Sequence, residues 1–281
     1  MEYLGLDKPI CKIQPMVSVL VPTFQHVNYI STCLESILCQ KTNFPYEIII
    51  GEDESTDGTR EICMKFAEKY PDKIRLFLRK EEDKIYINGV KVGRFNHLEN
   101  FKCARGKYLA YCDGDDYWLD ENKLQLQFDL MQKYPAANLC VTNTYLEKSS
   151  GESAAALVKA FVINTPKNLR NTAYLGHIST WFFKNDVTDF IKNKIVYKAP
   201  VMDVILFAYL KNRGNVISTP ETTSFYRYNN GGLYRLKSVK NVHKDRFILN
   251  WLIFIHLQRN PVIFLRNLTY LIWRYYLNFI K

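Results

Sequence analysis

Tyr108–Lys123 reads YLAYCDGDDYWLDENK. A short apolar run stops at Asp113, Asp115 and Asp116 follow at once, and two aromatics precede a segment of helical spacing. An apolar run of this length closed by turn residues predicts a buried strand. Carboxylates crowded at the end of such a strand are opposed by desolvation and by mutual repulsion, so a cation or a bound proton is expected there. Asp113 and Asp115 are two positions apart, which in extended backbone places both carboxylates on one face. A D-x-D of this kind also arises in capped turns, with Asp116 or Asp120 beginning the next helix.

Outward from this stretch, MVSVLVPTF (16–24) and YEIIIG (46–51) are two more apolar runs that predict buried strands. Between them Ile30, Cys33, Leu34, Ile37 and Leu38 recur at helical spacing, with Asn28 placed to cap. EDESTDGT (52–59) is turn chemistry ahead of a helix carrying Ile62, Cys63, Phe66, Ala67 and Tyr70. KIRLFLR (73–79) predicts a third strand, and KIYINGVKV (84–92) a hairpin at Asn88-Gly89. A helix near 98–104 leads into Tyr108–Gly114, after which Leu124, Phe128 and Met131 mark another helix. Strand and helix in this rhythm predict an α/β class fold with a doubly wound sheet. Beyond NLCVTNTYLE (138–147) the alternation loosens. GESAAALV (151–158) reads as loop, ISTWFF (178–183) and TSFYRYN (223–229) as strands, and MDVILFAYLKNRG (202–214) as a helix ended by Gly214.

The 281 residues are 47% hydrophobic and 23% charged, enough for a substantial core and unlike a disordered chain. From Arg235 onward nine Lys/Arg stand against Asp245 alone, so eight of the ten net positive charges lie in the tail. A nucleic-acid reader carries its positive charge on the folded module, so no nucleic-acid partner is expected. Seven cysteines, odd in number and without C-x-x-C, read as free thiols in a reducing compartment. MEYLGLDKPICKIQP has no apolar core of signal-peptide length, and a cytoplasmic location is the expectation.

Ligands of open α/β sheets bind beyond the carboxyl ends of the strands. Pro22-Thr23-Phe24, Glu52-Asp53 and Asp113–Asp116 all reach that edge. Neither G-x-G-x-x-G nor G-x-x-x-x-G-K-[ST] is present to cradle phosphates, so a divalent cation, Mg2+ or Mn2+, is expected to handle them.

SVLVPTFQHVNYISTCLESILCQ (18–40), EIIIGEDESTDGTREI (47–62) and GKYLAYCDGDDYWLDENKLQLQ (106–127) resemble, in order and spacing, successive blocks of the family 2 glycosyltransferases. These are GT-A fold enzymes of the kind found in bacterial surface-polysaccharide assembly. The resemblance is strong from Met16 to Tyr134, weaker to Tyr234 and absent from the tail. It implies a mixed sheet flanked by helices over residues 1–234, with a nucleotide-binding half at about 16–147 and an acceptor half at about 148–234. The implied reaction is inverting transfer of a sugar from a nucleotide diphosphate donor, a UDP-sugar, to a glycan or lipid-linked glycan. By the same resemblance Pro22, Thr23 and Phe24 line the base pocket, and Asp53 accepts the pyrimidine N3–H with Glu52 beside it. Asp113 approaches the ribose, Asp115 ligates the metal on the diphosphate, and Asp203 is the base for the acceptor hydroxyl. SFYRYNNGGLYR (224–235) matches a segment whose histidine can reach the metal or diphosphate; Asn229 stands in its place, and Asn is a poor ligand beside His. Arg227 and Arg235 are candidates to neutralise diphosphate. Trp118 and His177 either line the acceptor cleft or pack. Two rival readings stay open: a sugar-nucleotide nucleotidyltransferase, which would want a basic glycine-rich loop after the first strand, and a catalytically silent scaffold.

The tail, 235–281, has no apolar run of the roughly 20 residues a spanning helix needs. After Pro261, Asn267, Arg274, Asn278 and Lys281 gather on one helical side, with Ile263, Phe264, Leu271, Ile272, Trp273, Tyr275, Tyr276 and Phe279 over the rest. A basic strip on an aromatic-aliphatic surface predicts an amphipathic helix lying in a membrane interface, the alternative being a helix packed on the protein.

Overall fold

A computed structural model describes residues 1–5, 13–147, 153–155, 158–227, 238–258 and 260–280. β1 (Val17–Thr23), α1 (Ile30–Leu38), β2 (Tyr46–Glu52), α2 (Thr59–Lys69) and β3 (Ile74–Leu78) alternate as the sequence predicts. A hairpin joins β4 (Ile85–Ile87) to β5 (Val90–Val92). Asn88 and Gly89 both take positive φ, 52° and 78°, the pair a two-residue hairpin requires. α3 (Arg94–Cys103) leads to β6 (Tyr108–Tyr111), and the short β7 (Tyr117–Trp118) precedes α4 (Lys123–Lys133). β8 (Ala137–Glu147), β9 (Ser153–Ala155), β10 (Val162–Asn164) and β11 (Trp181–Lys184) follow, then α5 (Thr188–Lys192), α6 (Met202–Leu210) and β12 (Asn215–Tyr226). α7 (Val239–Ile253) and α8 (Pro261–Ile280) close the chain.

The main sheet runs β10-β12-β8-β11-β6-β1-β2-β3. β6, β1, β2 and β3 are mutually parallel, and β11 is antiparallel to both β6 and β8. This order sets the carboxyl ends of β6, β1 and β2 side by side, the edge on which the acidic and polar segments were expected to meet. Both sheet faces are covered. Ile49, Leu109 and Phe183 pack on one face, while Ile48, Ile50, Ala110 and Phe182 pack on the other. Successive residues of a strand point to opposite faces. With both faces buried, these strands read as unbroken apolar runs and not as alternating ones.

Three local expectations are corrected. Asn28 does not cap α1: the His26 carbonyl accepts from the Tyr29 and Ile30 amides, at 2.9 Å each. GESAAALV is not wholly loop, because Ser153–Ala155 pairs with β8 at the sheet margin. In ISTWFF the strand begins only at Trp181, after a single 3-10 turn at Ile178–Thr180. Of the cysteines, Cys33, Cys63, Cys112 and Cys140 are buried, Cys103 is half-buried and Cys39 is exposed, all as free thiols; Cys11 lies outside the described residues.

α7 belongs to the globular unit, since Leu249 and Leu252 join the core cluster that contains Trp181 and Phe207. α8 packs back on α7, with Phe264 stacked on Phe254 at 4.7 Å and Leu271 buried. Its outward face is apolar: Val262, Leu265, Tyr270, Ile272 and Trp273 are each more than half exposed. The apolar surface is therefore divided between packing and solvent, and Asn267, from the expected polar strip, lies on the half-buried side. Among the described residues no helix is long and apolar enough to cross a membrane.

Candidate active site

The loop after β1 is fastened to the turn after β2. The Gln25 amide donates to Ser55 Oγ at 2.9 Å, the His26 amide to Thr59 Oγ1 at 2.8 Å, and the Val27 amide to Asp57 at 3.0 Å. EDESTDGT thus holds PTFQHV in place, which is why two loops distant in sequence share one rigid corner. The third loop is keyed into the same corner through Gly114. A Cβ there would come within 2.5 Å of Thr23 Oγ1 and 2.8 Å of His26 Nδ1, so only glycine lets the aspartate loop close against the first one.

On the β2 side, Asp53 is buried, and one carboxylate oxygen has no hydrogen-bond partner. Burial pushes its pKa up to about 6, with Lys84 at 3.8 Å pulling the other way and Glu52 adding to the rise. Phe24 exposes its ring nearby, and Lys84 Nζ lies 3.9 Å from the ring centre. An aromatic face beside an acceptor and an ammonium donor can hold a planar heterocycle that offers one N–H and one carbonyl. Glu52 does not share this pocket. It is fully buried, accepts from the Ser55 amide at 2.7 Å, and pairs with Arg60. Of the two adjacent acids, Asp53 keeps an unpartnered oxygen beside Lys84 and Phe24, and Glu52 braces the turn. Thr23 is buried, with its hydroxyl 3.2 Å from His26 Nδ1, and Pro22 is internal to β1.

Beyond β6 the acids converge. Burial raises Asp113 well above the carboxylate range, reinforced by the charges of Asp115 and Asp203. Asp116 is raised likewise by burial, then by Asp115 and Asp113, and its Oδ2 has no hydrogen-bond partner. Asp115 is 20% exposed and Asp113 is likewise only partly buried, and among the described residues the ion-pair neighbour of Asp115 is His26 at 3.8 Å. Burial holds His26 below the usual imidazole range, with Asp115 opposing. Among the described residues no Lys or Arg forms an ion pair with Asp113, Asp115 or Asp116. The surplus negative charge suits a cation. No three His, Cys, Asp or Glu side chains among the described residues make a metal cage, so an ion here would take one or two protein groups and fill its shell from phosphate and water, as Mg2+ does in nucleotide sites.

Asp203 reaches this corner from the opposite side. It lies in the first turn of α6, whose cap position is held by Val201, so it is not a plain N-cap. Burial raises its pKa, while the Tyr174 hydroxyl, its own backbone surroundings and Arg94 pull it down. Arg94 is itself buried, with its guanidinium anchored on the Val196 and Ala199 carbonyls. Arg94, Tyr174 and Asp116 are functional candidates that sequence reading missed. Nothing in RFNHLENF or NTAYLG marks Arg94 or Tyr174 as neighbours of Asp203, whereas Asp116 was visible in the quoted stretch and read only as a helix cap. In the structure it accepts from the Arg227 amide at 3.2 Å.

Trp118 is corrected to a packing residue: it is buried, donates from Nε1 to the Ser179 carbonyl at 3.0 Å, and carries the Lys123 ammonium 4.3 Å from its ring centre. No face is left for a sugar. His177 is part of the site wall, with Nδ1 at 2.7 Å from Ser179 Oγ, 3.5 Å from Asp116 and its ring against Tyr226. Burial pushes its pKa down to about 4, so it is neutral at physiological pH. Arg227 stacks between Tyr29 and Tyr117 and donates to the Asp115 carbonyl at 3.0 Å, which fixes the aspartate loop without neutralising its carboxylates. Asn229 and Arg235 lie outside the described residues.

The family described as "Glycosyl transferase family 2" matches residues 18–184, more than half of the chain. An uncharacterized protein of Mycobacterium tuberculosis is 27% identical over 78% of this chain and 60% of its own length. The putative teichuronic acid biosynthesis glycosyltransferase TuaG of Bacillus subtilis is 35% identical over 44% of this chain and 45% of its own. WfgD of Escherichia coli, named as a UDP-Glc:alpha-D-GlcNAc-diphosphoundecaprenol beta-1,3-glucosyltransferase, is 30% identical over 42% of each. The matched region thus spans less than two thirds of each of these relatives. Among solved structures, S. aureus TarS 1–349 in complex with UDP-GlcNAc superposes with a TM-score of 0.62 at 16% identity, covering 85% of this chain and 67% of that 1–349 chain. The mannosyltransferase PcManGT from Pyrobaculum calidifontis, in complex with GDP-Man and Mn2+, gives 0.54 at 16% identity over 87% and 64%. At these identities the structural likeness speaks for the GT-A fold.

Proposed function

The chain belongs to glycosyl transferase family 2, and we propose that it moves a sugar from a UDP-sugar to a hydroxyl of a glycan or lipid-linked glycan, with inversion at the anomeric carbon and a divalent cation on the diphosphate. The observation that carries this reading is the contiguous edge of β6, β1 and β2, where an Asp53 oxygen without a hydrogen-bond partner lies beside an exposed Phe24, next to carboxylates that form no ion pair with Lys or Arg among the described residues. The first half suits uracil, whose N3–H is a donor flanked by carbonyls: Asp53 accepts and Lys84 donates. The second half suits a diphosphate arriving with Mg2+ or Mn2+, held by Asp115. When bound, such an ion acts as a Lewis acid that stabilises the charge gathering on the departing nucleoside diphosphate. TarS with UDP-GlcNAc, PcManGT with Mn2+ and the name of WfgD support donor, ion and acceptor class in turn.

In this reading Asp203 accepts the acceptor hydroxyl's proton as the oxygen bonds to the anomeric carbon, while the electron pair of the breaking carbon–oxygen bond leaves with the diphosphate on the opposite face. Tyr174 and Arg94 oppose the upward push that burial gives the Asp203 pKa. A panel of nucleotide-sugars with Mn2+ tests the assignment by release of nucleoside diphosphate. Asp203→Asn should bind donor like the wild type and lose transfer by roughly a hundredfold or more. Pyrophosphate release from a nucleoside triphosphate and a sugar 1-phosphate would instead mark a nucleotidyltransferase, and neither reaction a silent scaffold.

The outward face of α8 adds a location to this reading. Val262, Leu265, Ile272 and Trp273 project from α8, within a tail (235–281) that carries eight of the ten net positive charges, which suits the anionic headgroup layer on the cytoplasmic side of a membrane. A lipid-linked acceptor would be met at that surface.

A further inference from the structure

We propose that His26 is a second protein ligand of the divalent cation, beside Asp115. The inference rests on the metal-dependent reading above but concerns a residue outside the aspartate loop. His26 Nε2 stands 3.8 Å from Asp115 Oδ2. That is too long for a hydrogen bond, and it is a separation two ligands of one ion can span, each lying about 2 Å from the metal. The other ring nitrogen, Nδ1, is engaged by Thr23 Oγ1 at 3.2 Å. When Nδ1–H donates to that hydroxyl, Nε2 turns a bare lone pair toward a carboxylate, an arrangement that repels unless a cation lies between.

Three further contacts show that the ring is placed, not adventitious. The His26 amide is tied to Thr59 Oγ1 and its carbonyl caps the start of α1, so the backbone is fixed from both sides. Gly114 is backed against the ring edge at a distance no Cβ would permit, so histidine and aspartate loop are fitted to each other. Asp116 Oδ2, fully buried, has no hydrogen-bond partner and leaves an unsatisfied carboxyl oxygen in the same acidic corner. The remaining positions of the ion are left for the diphosphate, which agrees with a site lacking a third protein ligand among the described residues.

The test is pulsed electron paramagnetic resonance of Mn2+ bound to the full chain at pH 8, where imidazole is neutral by its ordinary pKa. UDP, GDP, CDP and TDP are each added, and the diphosphate that binds most tightly is used. Directly bonded imidazole nitrogen gives a 14N coupling, and diphosphate gives 31P coupling. The wild type should show both. His26→Asn, which keeps a polar atom near the Nδ1 position and so retains the Thr23 contact, should lose the 14N coupling, keep 31P, and bind Mn2+ about tenfold or more weakly in calorimetry. His177→Asn is the control and should retain the 14N signal. Bound Mn2+ with 31P coupling but no 14N coupling, or 14N coupling that survives in His26→Asn, overturns the role of His26 and leaves metal dependence standing. No Mn2+ binding with any of the diphosphates overturns both. Loss of 14N coupling in His26→Asn with an unchanged circular dichroism spectrum supports the assignment.

Discussion

Asp53→Asn separates the cost of a buried carboxylate from its use. In the folded chain burial lifts the Asp53 pKa from 3.8 to about 6, a shift of about two units, so holding the ionised form in place costs about 3 kcal/mol. The sign follows from proton linkage. At about pH 3 and below the carboxyl is protonated whether the chain is folded or not, and the group costs nothing. As pH rises the unfolded chain gives up its proton first, so stability falls between about pH 4 and 6 and then levels off. Asparagine does not titrate. Urea denaturation of both proteins from pH 3 to 7.5 should therefore show the variant gaining on the wild type by about 3 kcal/mol across that window, whatever offset the substitution introduces at pH 3. Lys84 is not stranded by the change, because Glu81 holds it at 2.9 Å. The same variant should bind UDP at least tenfold more weakly at pH 7.5, since an amide cannot match a carboxylate as acceptor for N3–H. A stability gap that stays constant within about 1 kcal/mol over the window would refute the buried, titrating Asp53, and undiminished UDP affinity would refute its role in the base pocket.

Asp115→Asn should abolish the dependence of nucleotide affinity on Mn2+ while leaving metal-free affinity and the melting temperature near wild type; an unchanged Mn2+ dependence in calorimetry counts against it. Replacing Ile272 and Trp273 together by Glu should remove binding to vesicles rich in phosphatidylglycerol in a co-sedimentation assay at low salt. Equal sedimentation with neutral phosphatidylcholine vesicles, or with the double variant, would show that α8 does not read an anionic surface.

The framework of the fold was legible because β1, β2 and β6 are covered on both faces, and burial on both faces writes an unbroken apolar run into the sequence. The helix after each strand marked a doubly wound sheet, and Asn88-Gly89 announced its own hairpin. Ser153–Ala155 stayed hidden: a small, three-residue strand at the sheet margin has neither alternation nor bulk to mark it. Within the site, carboxylates at strand ends stood out, because charge after an apolar run is costly wherever it occurs. Choosing between Glu52 and Asp53 was beyond the sequence, since the partner that claims Glu52 is Arg60, in the first turn of α2. Trp118 likewise carries no local sign that Lys123 and the Ser179 carbonyl enclose it. His26 and Arg94 acquire meaning only from residues far along the chain, Asp115 and Asp203, and long-range pairing of single polar side chains leaves no periodic trace.

The central claim is that a divalent cation seated at Asp115 holds a nucleotide's diphosphate on the edge of β6, β1 and β2. Anomalous diffraction at the manganese edge from crystals soaked with Mn2+ and UDP tests it most directly. The account predicts a single peak within about 2.5 Å of the Asp115 carboxylate and of both phosphates, with uracil against Phe24 and Asp53. Bound UDP with no anomalous peak at Asp115, or a protein cation in that position, would contradict it.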